Sequence, residues 1–316
     1  MQAVMYDRFG DESVLSLREA AVAQPARGEV QVRVRMASLN PIDFKLRSGI
    51  LRMLGRPKRP AITGKDFAGE ISALGAGVQG YKVGQRVFGS VDPLGGRGSC
   101  AQFVALSADL IALTPEAVSD EIAASLPVAS GTALQSLTDI ARLQAGQAIL
   151  ISGASGAVGA TAVQLARSIG ARITGVCGTA NLDYVRSLGA ERVIDYKTED
   201  WLRPGQHFDV IFDAAAAASF AQARPLLTTS GFYINTMPRL ALYWAALVAR
   251  ATSRQRCVPF LLKTDAALLA RLAKLAAERV IVPHIQEIVD LSQVASAQRR
   301  MRQGKVHGKV CVRVGA

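Results

Sequence analysis

Hydrophobic and polar positions alternate in short runs through the first third of the chain. Every second position from Val30 to Met36 is hydrophobic and the positions between carry Gln or Arg, the pattern of a strand with one buried face. Strand-like runs also occupy residues 67–74, 85–89 and 100–106, with glycine-rich turns between them. Several short strands separated by glycine turns predict a small β-barrel.

The pattern changes near Asp120. Residues 121–126 and 132–141 are helix-like, and we predict that residues 127–131 form a link between these two helices. Beyond residue 149, strand-like and helix-like segments alternate, which predicts a parallel, doubly wound sheet. Its predicted strands are residues 149–152, 172–177, 192–196, 208–213 and 231–235, with a further candidate at 256–263.

The end of the chain returns to the first pattern. Residues 265–279 are strongly helical, and residues 308–314 alternate again, so we expect this last strand to rejoin the barrel. The sequence therefore predicts an α/β chain of two domains. A barrel domain, residues 1–124 and 264–316, is interrupted by a doubly wound domain, residues 125–263.

A glycine-rich turn follows the first strand of the predicted doubly wound domain. Gly153, Gly156 and Gly159 stand between that strand and a helix-like segment that extends to Ile169. Such a turn opens a dinucleotide-binding fold, because small residues let the backbone approach a pyrophosphate at a helix N-terminus. Ser155 stands where the strict fingerprint has its middle glycine, so a plain strand-to-helix turn stays an alternative. The predicted cofactor-binding residues here are Ser155, Gly156, Ala157 and Val158, with Ala214 at the end of a later strand.

Composition and charge narrow the class of protein. Half of the 316 residues are hydrophobic, as in a soluble α/β enzyme. The 37 Lys and Arg exceed the 25 Asp and Glu, which gives a net charge of +12. These charges are dispersed along the chain, without a long basic run. We therefore expect a basic surface and an anionic cofactor, and no nucleic-acid partner.

Cysteine spacing and the chain termini bear on the compartment. Cys100, Cys177, Cys257 and Cys311 lie far apart, which argues against a zinc site or a disulfide framework and for a reducing compartment. The N-terminal residues are strand-like and lack the pattern of a signal or transit peptide. The most apolar segment, residues 240–249, is too short to span a bilayer. We expect a cytoplasmic protein without a transmembrane segment.

Several short motifs follow one another along the whole chain. They are SLNPIDFK at 38–45, GKDFAG at 64–69, PVASGTA at 127–133, LGA at 188–190, VIDY at 193–196 and HGKV at 307–310. With these motifs in this order, the chain resembles the zinc-independent quinone oxidoreductase and enone (alkenal) reductase branch of the medium-chain dehydrogenase/reductase superfamily. The resemblance implies a GroES-like β-barrel catalytic domain and a Rossmann-type domain that binds NADPH. It also implies a homodimer, paired through the last strand of the Rossmann sheet at 256–263.

The chain departs from the zinc-dependent members of that superfamily. Those relatives carry a cysteine just before the position of Asp43, a His-Glu pair after the position of Gly64, and a lobe with four cysteines. Here Ile42 precedes Asp43, and Lys65 and Asp66 follow Gly64. Without Cys or His at these positions we expect no metal site, and no alcohol oxidation through a zinc-bound alkoxide.

The end of the second Rossmann strand bears on the choice of nicotinamide cofactor. NAD-binding domains usually place an acidic residue there to bind the ribose 2′-OH, whereas residues 160–182 contain none. Gly178, Thr179 and Asn181 offer hydrogen-bond donors, and the resemblance adds Tyr196. We therefore predict NADPH. Thr179 and Asn181 also suit the role of ordinary helix caps, and the two roles are compatible.

The candidate catalytic residues come from the first motif. Reduction of an unsaturated carbonyl or a quinone by hydride leaves negative charge on the substrate oxygen and requires a proton. The resemblance implies that Lys45 assists at this oxygen, and a partly dry cleft would suit it to proton transfer; the alternative is a solvated charge on a short helix. Asn40 is predicted to orient substrate or nicotinamide. Thr132 resembles the family's threonine near the cofactor, with a helix N-cap as the alternative.

We predict a zinc-independent, NADPH-dependent oxidoreductase that reduces quinones or the C=C bond of α,β-unsaturated carbonyls. The alternatives are a trans-2-enoyl thioester reductase, and a non-catalytic NADPH-binding protein that uses its basic surface on RNA or membrane. Residues 240–249 could form a membrane-surface helix, although we favour a helix that covers the cofactor or substrate crevice. Loops at 50–59, 92–99 and 237–243 would build the substrate pocket, and such loops do not identify the substrate.

Overall fold

The computed structural model describes residues 1–50, 58–203, 205–237 and 239–315. They form two compact units, of which the first combines Met1–Ala129 with Thr264–Ala316 and the second is Ser130–Lys263. The second unit is thus inserted into the first. The borders fall at 129/130 and 263/264, whereas the sequence analysis placed them at 124/125 and 263/264.

Strands form the sheets of the first unit and the centre of the second. In chain order they are β1 (Gln2–Tyr6), β2 (Ser16–Glu19), β3 (Glu29–Leu39), β4 (Ala61–Ile62), β5 (Asp66–Leu74), β6 (Arg86–Ser90), β7 (Phe103–Ser107), β8 (Ile111–Leu113), β9 (Ala148–Ser152), β10 (Arg172–Cys177), β11 (Arg192–Asp195), β12 (Phe208–Asp213), β13 (Leu227–Asn235), β14 (Arg256–Pro259), β15 (Ile285–Asp290) and β16 (Lys309–Arg313).

Helices flank these strands. They are α1 (Pro41–Arg47), α2 (Asp120–Ser125), α3 (Pro127–Leu134), α4 (Ala157–Ile169), α5 (Leu182–Ser187), α6 (Phe220–Ala223), α7 (Leu240–Thr252), α8 (Ala266–Ala277) and α9 (Val294–Arg302).

The first unit is built on two sheets. The larger has the order β15-β16-β3-β5-β6-β8, with β7 also paired to β3, and the smaller has the order β2-β1-β4. The predicted return of the last strand is confirmed, because β16 runs antiparallel to β3 with Val310 opposite Leu39. The alternating residues Val30, Val32 and Val34 are buried in the core of this unit, as their period-two pattern predicts.

The second unit contains the predicted parallel, doubly wound sheet. Its order is β11-β10-β9-β12-β13-β14, and each neighbouring pair is parallel. The chain moves outward from β9 through β10 to β11 and then returns to β12 on the other side of β9. Helices leaving these two central strands diverge, which opens a crevice at the carboxyl ends of the strands where ligands of such sheets bind.

The predicted link at residues 127–131 is wrong. This stretch is the first part of α3, which continues into a π-helical segment, Gln135–Ile140. Pro127 is compatible with the first turn of a helix, where a backbone N–H would have no intrahelical partner. The small residues that looked like a turn serve packing instead, because the buried Ser130 Oγ lies 3.3 Å from Thr161 Oγ1 of α4.

Candidate cofactor and catalytic sites

The glycine turn joins β9 to the N-terminus of α4 in the second unit. Gly153 has a φ of +69°, which favours glycine, and the N–H of Ala154 donates to Val176 O of β10 across 2.9 Å. Gly159 permits close packing, because a Cβ there would lie 2.2 Å from Gly153 O. The turn is therefore held against two central strands.

Four predicted cofactor-binding residues lie at this helix N-terminus. Gly156 precedes α4 in an extended conformation, and Ala157 and Val158 form its first turn. The N–H groups of a first helical turn have no intrahelical partners and carry the positive end of the helix dipole. With Ser155 they are half-buried. This arrangement can bind a pyrophosphate, and Ser155 adds a hydroxyl where other dinucleotide folds have a glycine.

Asp213, at the end of β12, organises the other wall of the crevice. Its fully buried carboxylate accepts hydrogen bonds from Ser152 Oγ (2.5 Å) and Tyr233 Oη (2.9 Å). It also accepts from the N–H groups of Ala217 (3.1 Å) and Ala218 (2.9 Å), which fixes the alanine loop after the strand. Sequence reasoning missed Asp213, because a carboxylate at a strand end has no local signal that shows what it will bind.

A pocket of about 670 Å³ occupies this edge of the sheet, within the size range of small-molecule sites. Its lining includes Ser152 and Gly153 at the end of β9, Val176 in β10, Ala215 and Ala217 after β12, and residues 196–201 after β11. The predicted Ala214 adjoins the pocket in sequence, and its carbonyl accepts from Thr236 Oγ1 across 3.1 Å. The residues present fit the nucleotide part of a dinucleotide.

The structure brings together most of the residues predicted for the ribose 2′ position. Tyr196 is 58% exposed, and its phenol lies over Gly178, where a Cβ would be 3.3 Å from Tyr196 Oη. Thr179 Oγ1 donates to Asp195 Oδ2 across 2.5 Å, and this bond lowers the pKa of Asp195 below its usual value. Asn181 directly precedes α5, in the position of a helix cap.

Asp195 changes the sequence interpretation of this position. The strand that ends at Cys177 carries no acid of its own, but its parallel neighbour β11 ends at Asp195, opposite Cys177 in the register. The capping role for Thr179 is wrong, because Gly178 precedes the turn and the Thr179 hydroxyl binds Asp195. Sequence reasoning missed Asp195, because it considered only acidic residues at the end of β10, whereas Asp195 ends the neighbouring strand β11.

Thr132 lies inside α3 and is buried. Its alternative role as an N-cap is wrong, because the helix begins at Pro127. The predicted contact of Thr132 with the cofactor stays a prediction.

In the first unit, Asn40 is held in a buried polar cluster before α1. Asn40 Oδ1 accepts from Lys309 Nζ (2.8 Å), and Nδ2 donates to Asp66 Oδ2 (2.9 Å). Asp43 Oδ2 accepts from the Asn40 backbone N–H across 2.7 Å. Both ends of the Asn40 amide are thus engaged by residues of the same unit.

Opposite charges meet in this cluster. Lys309 Nζ lies 3.7 Å from Asp66 Oδ2, which also accepts from the Val128 N–H across 3.1 Å. Burial raises the pKa of Asp66, and the Lys309 ammonium opposes that shift. Burial and the neighbouring Asp66 raise the pKa of Asp43 to about 7. Sequence reasoning missed Lys309, since a buried lysine and an exposed one look alike in a strand pattern.

Lys45 lies in α1 and is neither buried nor fully exposed. Helix α1 is anchored at both ends. At its N-terminus the Asp43 carboxylate accepts from the Asn40 N–H, and near its C-terminus Arg47 is 1% exposed. Arg47 donates to Gly10 O (2.8 Å) and to Gln298 Oε1 (3.0 Å). The backbone that carries Lys45 is therefore rigidly placed.

Three further expectations concern a metal site, the substrate loops and a transmembrane segment. The residues that the structure describes include no group of three or more His, Cys, Asp or Glu side chains able to hold a metal ion. Of the loops expected to build the substrate pocket, residues 51–57 and residue 238 lie outside the described part of the chain. Among the described helices, none has both the length and the apolar character needed to cross a bilayer.

Family models define the class of protein. The model described as an alcohol dehydrogenase GroES-like domain matches residues 26–116, and the model described as a zinc-binding dehydrogenase matches residues 188–312. With the Rossmann order of the second sheet, these matches confirm the predicted fold class. The protein is a nicotinamide-dependent oxidoreductase with a GroES-like unit and a Rossmann-type unit.

Individual relatives narrow the family. The chloroplast envelope quinone oxidoreductase homolog of Arabidopsis thaliana is 34% identical over 323 residues, covering 99% of this chain and 98% of the relative. The solved quinone oxidoreductase of Coxiella burnetii has a TM-score of 0.90 and 30% identity, covering 100% of this chain and 99% of that one. The Escherichia coli quinone oxidoreductase complexed with NADPH has a TM-score of 0.86 and 25% identity, covering 99% of each chain. The chain belongs to the quinone oxidoreductase and alkenal/one oxidoreductase branch of the medium-chain dehydrogenase/reductase superfamily.

Proposed function

We propose that this protein transfers hydride from NADPH to quinones or to the C=C bond of α,β-unsaturated carbonyls, without zinc. The observation that carries the proposal is the crevice of the second unit, where Gly153, in the turn that leads into α4, lines the pocket at the carboxyl ends of the central strands. The Escherichia coli relative, solved with NADPH, supports a nicotinamide dinucleotide as the occupant.

The chemistry needs a hydride and a proton. The glycine turn and the first turn of α4 would hold NADPH, which would supply a hydride to the β-carbon of the enone as the C=C π bond breaks. The electron pair moves towards the carbonyl oxygen until a proton reaches the α-carbon. We assign Lys45 to the substrate oxygen, where an ammonium stabilises the developing charge and can relay the proton. Its placement on an anchored helix suits this task, since catalysis requires a fixed donor.

Asn40 takes a positioning role in this proposal. Its amide is held by Lys309 and Asp66, so its orientation is set before any ligand arrives. The same cluster supports reduction without zinc. Asp66, which follows Lys65 where zinc-dependent relatives have a His-Glu pair, is already paired with a buried ammonium.

NADH is a second candidate, favoured by one observation. The Thr179 hydroxyl donates its hydrogen bond to Asp195. The Thr179 oxygen can therefore only accept a further hydrogen bond, such as one from a ribose 2′-OH. Against this stand the exposed phenol of Tyr196 and the NADPH bound by the Escherichia coli relative. We keep NADPH as the proposed cofactor.

Initial rates of NADPH and NADH oxidation, measured with quinones, alkenals, enones and trans-2-enoyl thioesters, test the proposal. We expect turnover of quinones or enones with NADPH preferred. Turnover of enoyl thioesters alone would establish the enoyl reductase alternative, and tight NADPH binding with no turnover would establish a non-catalytic protein. The homodimer and the cytoplasmic location also stay predictions; the mass in solution tests the former.

A further inference from the structure

Helix α7 of the second unit exposes an apolar face. Leu240 is 84% exposed, Trp244 68% and Leu247 59%, and Tyr243 and Val248 are each 44% exposed. From one turn of the helix to the next these positions recur after three or four residues, so they form one stripe along the helix.

The opposite face of the same helix is also apolar, and it packs against the core of the second unit. Leu242 and Ala249 are buried in the core of the second unit, with Ala245 and Ala246 packed against it. A surface helix of a soluble protein normally carries polar residues on its outer face, and a helix apolar on all sides is normally covered. Helix α7 therefore has one covered face and one apolar face in need of a partner.

The charges around this face have one sign. No Asp or Glu occurs between Asp213 and Asp265, a stretch that carries five arginines and one lysine. Arg239 directly precedes α7, Arg250 lies in its last turn, and Arg254 follows it; all three are exposed. A face with Trp, Tyr and Leu at its centre and arginines at both ends complements an apolar layer beneath an anionic surface.

We propose that the outer face of α7 docks on the surface of an anionic lipid bilayer. The 13 residues of α7 span about 20 Å at the usual rise per residue, which suits a helix lying in the interface plane and not one crossing the bilayer. A second copy of this chain is a poorer occupant, because a twofold interface would bring the arginine-flanked face against itself. The proposal is independent of the proposed oxidoreductase activity.

Flotation of the full-length protein with vesicles tests this. We expect binding to vesicles of phosphatidylcholine with one-third phosphatidylglycerol, little binding to phosphatidylcholine alone, and loss of binding as salt is raised. The fluorescence difference between wild type and Trp244→Phe reports Trp244, and this signal shifts to shorter wavelength when the ring enters the lipid interface. No shift in the presence of bound vesicles would overturn the proposal.

Matched variants separate the apolar and the charged contributions. Trp244→Ser with Leu247→Ser should weaken partitioning at least tenfold, whereas Val83→Ser, which removes a 61% exposed valine of the first unit, should not change it. Arg250→Gln with Arg254→Gln should weaken it about 25-fold, at roughly fivefold for each arginine. Arg299→Gln with Lys305→Gln removes the same charge from the first unit and serves as the control.

Two outcomes would overturn the proposal. Equal weakening by the control pair would mean that net charge alone drives binding. A change in molecular mass caused by Trp244→Ser, measured by light scattering without lipid, would show that the face pairs copies of this chain. Nicotinamide binding and turnover of each variant are measured alongside, so that failure of the lipid proposal is distinguishable from failure of the oxidoreductase proposal.

Discussion

Thr179 Oγ1 and Asp195 Oδ2 lie 2.5 Å apart, which joins the ends of two neighbouring parallel strands. In this bond the Thr179 hydroxyl is the donor and the carboxylate is the acceptor. The bond favours the ionised form of Asp195, because it lowers the pKa of that side chain. A negative charge therefore lies beside Gly178 and Tyr196, where we expect the 2′ group of the cofactor. This charge opposes a 2′-phosphate and tolerates a 2′-hydroxyl.

Asp195→Asn should shift cofactor selectivity towards NADPH. Removal of one negative charge near the 2′-phosphate is expected to lower the Kd of NADPH roughly tenfold, with a smaller change for NADH. Fluorescence titration of both cofactors measures this. Asp183→Asn, which removes an exposed charge at the start of α5, should leave the ratio unchanged. An unaltered ratio in Asp195→Asn would place the 2′ group elsewhere.

Lys45→Met should lower turnover without weakening cofactor binding. If Lys45 stabilises the developing oxyanion and relays the proton, kcat with an enone falls about 10²–10⁴-fold, while the Kd of NADPH is preserved. Lys45→Arg retains the charge and should recover part of the rate. Lys82→Met removes an exposed lysine of the first unit and controls for net charge. Wild-type kcat in Lys45→Met would remove this residue from the mechanism.

Asp43→Asn should change how stability depends on pH. The folded pKa of Asp43 is about 7, and the pKa of an unfolded aspartate is about 3.9. Between these values the folded protein keeps a proton that the unfolded chain releases, so the free energy of unfolding falls as pH rises, by up to ~1.4 kcal/mol per pH unit. Asp43→Asn lacks this pH dependence, so its free energy of unfolding should rise relative to that of the wild type between pH 4 and 7. Urea unfolding across that range measures it, with the exposed Glu116→Gln as control; parallel curves for Asp43→Asn and wild type would contradict it.

Two glycine variants should separate folding from cofactor binding. Gly159→Ala places a Cβ 2.2 Å from a backbone carbonyl that cannot yield easily, so we expect a loss of ~1–3 kcal/mol in the free energy of unfolding. At Gly156 the nearest atom would be 3.4 Å away and φ is −76°, so alanine should fold normally. Gly156→Ala should nevertheless weaken NADPH binding, because the added methyl occupies the path of the pyrophosphate. Thermal unfolding and cofactor titration of both variants, with Gly95→Ala as an unhindered control, distinguish the two effects.

Much of the architecture could be read from local patterns. The alternation around Val32 predicts a half-buried strand, and the spacing of Gly153, Gly156 and Gly159 predicts a strand–turn–helix unit, because both patterns reflect the backbone geometry of neighbouring residues. The same method was wrong at residues 127–131. There, Ser130 and Gly131 looked like turn residues, but small side chains also suit a helix packed closely on another.

By itself, the sequence determined the fold class, the order of elements, the glycine turn and the motif that carries Asn40 and Lys45, since these depend on residues close together in the chain. Tertiary structure alone decided which polar groups meet. Lys309 reaches Asn40 across 269 positions, and Asp195 reaches Thr179 only because two parallel strands align in one register. The physical reason is that a buried polar group must find a partner, whereas sheet topology, which brings distant strand ends together, determines which partner it finds.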